Sequence, residues 1–417
     1  MSLSLAVLIL VFLGIALRQV FRIPLKIWQI MGIGACLVLF TGRISLSVAW
    51  EAIDFGIIAF LFGMFVIGQA LEESGYLSEI TGKFLFHGST TPKLLALIVF
   101  GMGIFSGVLM NDTLAIIGTP ILLKVAHKKG IPSHPLLLTL AFAITIGSVM
   151  SPIGNPQNLF IALRVPLENP FGVFFTYLAV PTLLSLTVLY FFSLFWLRKG
   201  NGKKNDQLTE PYNKQLMVFC KVALLTVFIL IGSNIIMSFL KISYNIPLPL
   251  IALIPAFFLL VFAPKRSVIL KGIDWQTLVF FIAMFILMRS VWETSSIKEV
   301  LMRPSWMTET TWGILTISTL VSQLISNVPL VALYLPTIEQ FANSTVSYMA
   351  LASGSTLAGS FLIFGAASNL IIIQNAEKRG EKGIDFFEFA KYGIPLTLIT
   401  LLIYWGYLSL VNYIITS

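Results

Sequence analysis

The sequence predicts an all-α polytopic membrane protein built as two inverted-topology repeats, and three observations carry that prediction. Of the 417 residues, 57% are hydrophobic and 11% charged, with a mean hydropathy of +0.92. That composition leaves too little polar surface to cover a water-soluble fold. The apolar residues gather into about ten runs near the ~20 residues that cross a bilayer, plus two shorter pairs that each meet at a polar kink. Finally, Ser106 to Pro120, SGVLMNDTLAIIGTP, has a partner 216 positions later in Ser322 to Pro336, SQLISNVPLVALYLP. Ser106, Asn111, Leu114 and Pro120 meet Ser322, Asn327, Leu330 and Pro336.

Taken in order, spans are expected at about 3–17, 28–42 and 51–70. A re-entrant hairpin follows from about 94 to 123, then spans at about 135–163 and 171–197. These make the first repeat, residues 1–197, which a hydrophilic linker at 198–215 separates from the second, residues 216–417. The second repeat has spans at about 216–240, 247–263 and 275–292, a hairpin at about 309–342, and spans at about 346–376 and 391–414. Five crossings per half, with a hairpin that enters and leaves by one side, give the halves opposite orientations. Residues 3–17 resemble the core of a signal peptide, but no basic residue precedes them and Arg18, Arg22 and Lys26 follow. A retained first helix with an outside N-terminus is therefore expected. With both termini outside the cell membrane, all but six of the 27 Lys and Arg residues fall on the cytoplasmic side. The six are Arg43, Arg164, Lys241, Arg289, Lys298 and Arg303.

More matches keep the same order. Asp54, Met64, Phe65 and Glu73 answer Asp274, Met284, Phe285 and Glu293. Gly147-Ser148 answers Gly359-Ser360, Gly154 answers Gly365, and Asn158-Leu159 answers Asn369-Leu370.

The chemistry belongs at the breaks, because an unsatisfied backbone group at membrane depth survives only where protein or a wet cavity supplies partners. One pair of breaks is the hairpin tips, Asn111-Asp112-Thr113 and Ser326-Asn327-Val328-Pro329. The other is Ser151 to Asn158, answered by Gly365 to Asn369. In the first of these Pro152 and Pro156 remove donors and Gly154 permits unusual dihedrals. Opposed half-helix ends would then present Asn111, Thr113, Gly154, Asn155, Gln157, Asn158, Ser326, Asn327, Gly365, Ser368 and Asn369 to a solute near the midplane. Asp112 stands apart, since its counterpart is Val328. An intramembrane carboxylate must pair, protonate or meet water, so Asp112 is read as a proton-coupling group, with Na+ coordination and helix capping as alternatives.

Other residues invite plainer roles. Asp54 and Asp274 read as helix caps, and Glu72, Glu73, Arg289 and Glu293 as surface or snorkelling groups. Lys124, His127, Lys128 and Lys129 read as orientation signals, His87 and His134 as loop residues, and Cys36 and Cys220 as packing residues. The basic residues lie between apolar runs, so the net charge of +9 does not point to nucleic acid. No Walker-type motif or His-rich metal cluster occurs, so neither an enzyme, a cofactor nor a resident metal is expected. The energy source is an ion gradient of H+, or alternatively Na+, or else a cytoplasmic ATPase partner.

These residues resemble the ion transporter superfamily, which groups ArsB-type arsenite-efflux permeases with NhaD-type antiporters and the citrate and dicarboxylate permeases, along nearly the whole chain. Asn111-Asp112 followed by Thr119-Pro120 looks like the ArsB branch. Pro152 to Asn158 and Ser326 to Pro329 look like an SLC13-like anion-permease subgroup. The dicarboxylate branch carries Ser-Asn-Thr at both tips, which this chain lacks. The resemblance implies a scaffold domain, often in a homodimer, and a transport domain that carries hairpins and substrate in an elevator movement. The breaks contain no Arg or Lys, which suits a neutral hydroxyl-bearing solute such as arsenous acid better than a multiply charged anion. Two separated cysteines exclude a three-thiolate arsenic site. Proton-coupled efflux of arsenite or antimonite is thus the leading expectation. Uptake of a small inorganic or carboxylate anion and Na+/H+ antiport are the alternatives.

Overall fold

The computed structural model describes residues 3–20, 25–76, 90–196, 213–240, 246–293, 306–377, 379–381 and 384–416. His87, Lys298, Arg303, Lys378 and linker positions 198–212 lie outside them. Among the described residues every regular element is helical. The first half contains α1 (Leu3–Val20), α2 (Ile27–Phe40), α3 (Leu46–Ala52), α4 (Phe55–Ser74), α5 (Thr91–Leu109), α6 (Asn111–Lys129), α7 (Ser133–Ser148), α8 (Pro156–Arg164) and α9 (Pro170–Trp196). The second contains α10 (Lys214–Phe239), α11 (Leu248–Phe262), α12 (Arg266–Gly272), α13 (Trp275–Trp292), α14 (Thr311–Ile325), α15 (Asn327–Phe341), α16 (Thr345–Phe361), α17 (Ala367–Glu377) and α18 (Phe386–Thr416). By length and composition α4, α5, α9, α10, α13 and α18 can cross a membrane, and α1, α2, α7 and α11 contain shorter apolar stretches.

The structure shifts an expected helix start and an expected loop residue. The span expected from 51 opens at Phe55, because Asp54 caps α4 by accepting from the Ile57 amide at 3.1 Å, and Glu51 and Ala52 belong to α3. Asp274 caps α13 in the same way, accepting from the Thr277 amide at 3.1 Å and from its hydroxyl at 2.6 Å. The short helices α3 and α12 precede these caps at the same separation in sequence as the caps themselves. His134, expected in a loop, instead lies in the first turn of α7, where Pro132 and Pro135 favour a helix start.

Apolar side chains face outwards as well as inwards. Phe191, Leu225, Phe257 and Leu402 are exposed, while Ser148, Ser353, Thr182 and Tyr404 are fully buried. The last two share a 2.6 Å hydroxyl hydrogen bond. Such a surface is stable in hydrocarbon and would aggregate in water.

Small residues let the helices meet backbone to backbone. At Gly63 of α4 a Cβ would lie 2.7 Å from the Ala252 carbonyl of α11. At Gly147 of α7 it would overlap the Gly103 carbonyl of α5, and at Gly354 of α16 it would lie 2.8 Å from the Leu315 carbonyl of α14. In both halves, therefore, the helix before a tip packs directly on the helix before the second break.

Candidate functional site: a polar cavity at the helix breaks

The tips Met110 and Ser326 occupy matched positions, and their backbones match too. Met110 has φ 63° and ψ 144°, Ser326 φ 71° and ψ 157°. Each separates two helices in a region that L residues adopt at a cost of about 1–3 kcal/mol, a strain held by surrounding contacts. Asn111 and Asn327 are then the first residues of α6 and α15. The Asn111 amide donates to the Gly154 carbonyl at 3.0 Å, which ties the first tip to the other break of its own half. The Asn111 side-chain oxygen accepts from the Asp112 amide at 2.9 Å.

The second pair of breaks is closed by asparagine amides. Asn158 Nδ2 donates to the carbonyls of Ser148, Val149 and Ser151 at 3.3, 3.2 and 3.0 Å, at and just past the end of α7. Asn369 Nδ2 does the same for Gly359 and Ile363 at 2.8 and 3.2 Å. Asn155 caps α8 through the Asn158 amide and also reaches Thr356 Oγ1 at 3.2 Å. At both Gly154 and Gly365 a Cβ would overlap a carbonyl, of Ser148 and of Ala358 respectively, so each turn folds back on its own helix.

A cavity of about 790 Å³ lies between the tips and the ends of α2, α4, α12, α13, α14 and α17. Of the residues expected to bind solute, Asn111, Thr113, Gln157, Ser326 and Asn327 line it, as does Asp112, the expected proton-coupling group. Gly154, Asn155, Asn158, Gly365, Ser368 and Asn369 do not line it. They are buried, and the Asn155, Asn158 and Asn369 amides are engaged as described. The cavity brings in residues the sequence did not single out. Gln69, Gln276, Gln323 and Gln374 join Gln157, so that five glutamine amides surround one space together with those of Asn111 and Asn327. Its charged lining residues are Lys26, Asp112 and Asp274. Lys26 Nζ reaches Gln276 Oε1 at 3.4 Å. Among the described residues no ion pair involves Asp112. Thr356, which nothing in the sequence marks, accepts from Asn155 and Gln157 and donates to Asn158 Oδ1 at 3.2 Å, joining α8 to α16.

Away from the cavity, the α4 cap Asp54 pairs with Arg164 at the end of α8, Nε to Oδ2 3.1 Å. Arg164 also lies 5.5 Å from the Phe160 ring centroid, and Phe160 stacks on Phe285 of α13 at 6.0 Å. At the other end of α6, His127 Nε2 meets Glu381 at 2.6 Å, Ser133 donates to the same carboxylate at 2.7 Å, and His134 meets Glu388 at 2.9 Å. Burial would raise the Glu381 carboxyl, but the Ser133 and His127 hydrogen bonds outweigh it and hold it below its ordinary value. His127 thus joins α6 to the loop before α18, beyond the orientation role read from its basic neighbours.

A helical chain with an apolar exterior, broken helices and a polar internal cavity is a multi-pass membrane protein. It belongs to the citrate transporter family, whose model matches residues 8–350, and is therefore a membrane transporter and not an enzyme. Similar proteins include a 46 kDa membrane protein of Mycobacterium leprae, 27% identical over 388 residues and 88% of each chain. The inner membrane protein YbiR of Escherichia coli is 27% identical over 365 residues, covering 87% of this chain and 90% of its own. The silicon efflux transporter LSI3 of Oryza sativa subsp. japonica is 24% identical over 445 aligned positions, 88% of this chain and 89% of its own. The crystal structure of the Alcanivorax borkumensis YdaH transporter shares the fold with a TM-score of 0.57 and 15% identity, covering 85% of this chain and 84% of that one. The family match lies with citrate transporters and does not single out the ArsB branch.

Proposed function

We propose that the protein exports a small neutral metalloid hydroxide, arsenous or antimonous acid, across the cytoplasmic membrane in exchange for protons carried by Asp112. The observation that carries this reading is the cavity lining, five glutamine amides with two carboxylates and one ammonium. Amides offer both donors and acceptors to hydroxyl groups, whereas a multiply charged anion would meet more negative than positive charge. A silicon efflux transporter among the relatives favours the same class of solute and the same direction. The family's description and Lys26 at the cavity favour a second reading, uptake of a carboxylate anion.

Proteoliposomes under an imposed pH gradient separate these readings. Arsenite movement against the proton flow supports the first and gradient-driven citrate or other anion uptake the second. Proton movement that requires Na+ alone would replace both with Na+/H+ antiport. The expected result is arsenite flux that collapses with a protonophore; no arsenite flux under any gradient defeats the proposal.

On this reading the two tips belong to re-entrant hairpins of inverted repeats, and the cavity is open inwards. Lys26, Gly272 and Gln374 line it at helix ends that the charge distribution assigns to the cytoplasm. Asp54 and Arg164 close the opposite side, joining an immobile α4 to a moving α8 in an elevator cycle. Cysteines at 54 and 164, in a chain freed of Cys36 and Cys220, should therefore react with a short bifunctional thiol reagent and arrest flux. Full flux in the cross-linked protein would mean that these helices do not separate during transport.

A further inference from the structure

The two hairpin tips share a backbone but not a hydrogen-bonding state. On the helix before the first tip, Ser106 Oγ donates to the Gly103 carbonyl at 2.6 Å, and Asn111 Oδ1 accepts from the next amide. Their repeat partners behave differently. Ser322 Oγ and Asn327 Oδ1 are buried without a hydrogen-bond partner among the described residues, although Ser318, one turn earlier, bonds its own helix in the usual way at 2.6 Å. Ser322 is 1% exposed, and it lines the cavity.

Beside it, Gln323 adds an acceptor of fixed direction. Both hydrogens of its Nε2 are used, on the Thr319 carbonyl at 3.0 Å and the Ala358 carbonyl at 2.8 Å. The amide cannot flip, since that would set its oxygen against two carbonyls. Oε1 is therefore held beside Gly365, where a Cβ would lie 2.9 Å from it, buried and without a partner among the described residues. Gly107, the repeat partner of Gln323, has no side chain to offer. An unpartnered buried acceptor is costly unless a ligand supplies a donor.

We propose that Ser322 and Gln323 form an O–H-recognising subsite on α14, with Gln323 Oε1 accepting from a solute hydroxyl and Ser322 Oγ donating to or accepting from a second one. The subsite admits a neutral hydroxide or protonated acid and disfavours a fully ionised oxyanion, whose oxygens would face the Gln323 lone pairs. The repeats thereby divide their labour: the first tip carries the ionisable group, the second holds the solute. This rests on the reading of the cavity as a solute site for metalloid hydroxides.

The test is equilibrium binding of arsenous acid to the full-length purified protein near neutral pH, where the solute is uncharged. Ser322→Ala should weaken binding about tenfold, the factor one lost hydrogen bond gives, and Gln323→Met at least as much. Ser106→Ala, which removes a hydroxyl already bonded within its helix, should leave binding unchanged. Should Gln323→Met fail to fold, Ser322→Ala against Ser106→Ala decides alone. Equal binding by wild type and Ser322→Ala, or equal loss in Ser106→Ala, overturns the subsite while arsenite flux in proteoliposomes can still stand. Wild-type binding that needs Na+, with that need lost in Ser322→Ala, overturns it in favour of a cation site. Binding of citrate but not of arsenous acid overturns both the subsite and the export reading.

Discussion

Asp112→Asn should abolish pH-gradient-driven flux while leaving the protein folded and able to bind solute. Asp112 is half-buried in the second position of α6, lines the cavity, and forms no ion pair among the described residues. Its sequence neighbours Asn111 and Thr113 are neutral, and the other carboxylate in the cavity, Asp274, is already bonded to Thr277 as a helix cap. Asparagine keeps the shape and loses only the capacity to exchange a proton, so packing should hardly change. If Asp112 carries the coupled proton, the variant should still exchange labelled solute across a membrane without a gradient, at a rate near that of wild type. Net flux against a solute gradient should fall by about two orders of magnitude, the scale at which a missing proton carrier leaves only leak. Retained uphill flux with unchanged pH dependence would remove Asp112 from the coupling role, and the cap reading would replace it. Thr113 is the useful control, because it lines the same cavity next in sequence but cannot ionise.

The breaks were legible because Pro, Gly and Asn stand out in apolar runs. Pro152, Gly154 and Pro156 mark a stop and restart that the structure places between α7 and α8. The pairing of Asn111 with Asn327 was legible because both copies preserved spacing, and the structure gives their preceding residues nearly equal dihedrals. What composition could not show was direction. Asn158 and Asn369 look like solute ligands in sequence, yet their amides turn back to the carbonyls of the preceding helix. Lys26 and Gln374 look like residues at a span end, and only the packing of α2 and α17 around the tips makes them cavity residues. Gln323 and Thr356 carry no sequence mark, because a lone polar residue in a helix acquires meaning from what lies across from it. Met110 is hidden for a related reason: nothing in an apolar side chain announces a positive φ.

The second large effect separates structural from solute-binding amides at the same break. Asn158→Leu removes the donor for three carbonyls, Ser148, Val149 and Ser151, in a site that is fully buried. The Ser151 carbonyl still accepts from the Gly154 amide at 3.3 Å and that of Ser148 from the Asn155 side chain at 3.5 Å, so the Val149 carbonyl and the Thr356 hydroxyl lose most. At about 1–3 kcal/mol for each buried group left unpaired, the loss should be about 3 kcal/mol. Asn369→Leu removes the donor for two carbonyls, Gly359 and Ile363, and should cost a similar amount. Asn158→Asp offers no rescue, since a carboxylate would face the same carbonyls without a hydrogen to give. Gln157→Leu makes the opposite case. Gln157 lines the cavity and gives one 3.3 Å hydrogen bond to Thr356, which keeps its contact with Asn155. Its loss should spare the melting temperature and reduce solute binding. Thermal unfolding of the purified proteins beside flux measurements resolves the two classes: Asn158→Leu should unfold first and lose activity as a consequence, Gln157→Leu should lose activity at wild-type stability. An Asn158→Leu protein that melts like wild type yet transports nothing would return Asn158 to the solute site and make its three carbonyl contacts incidental.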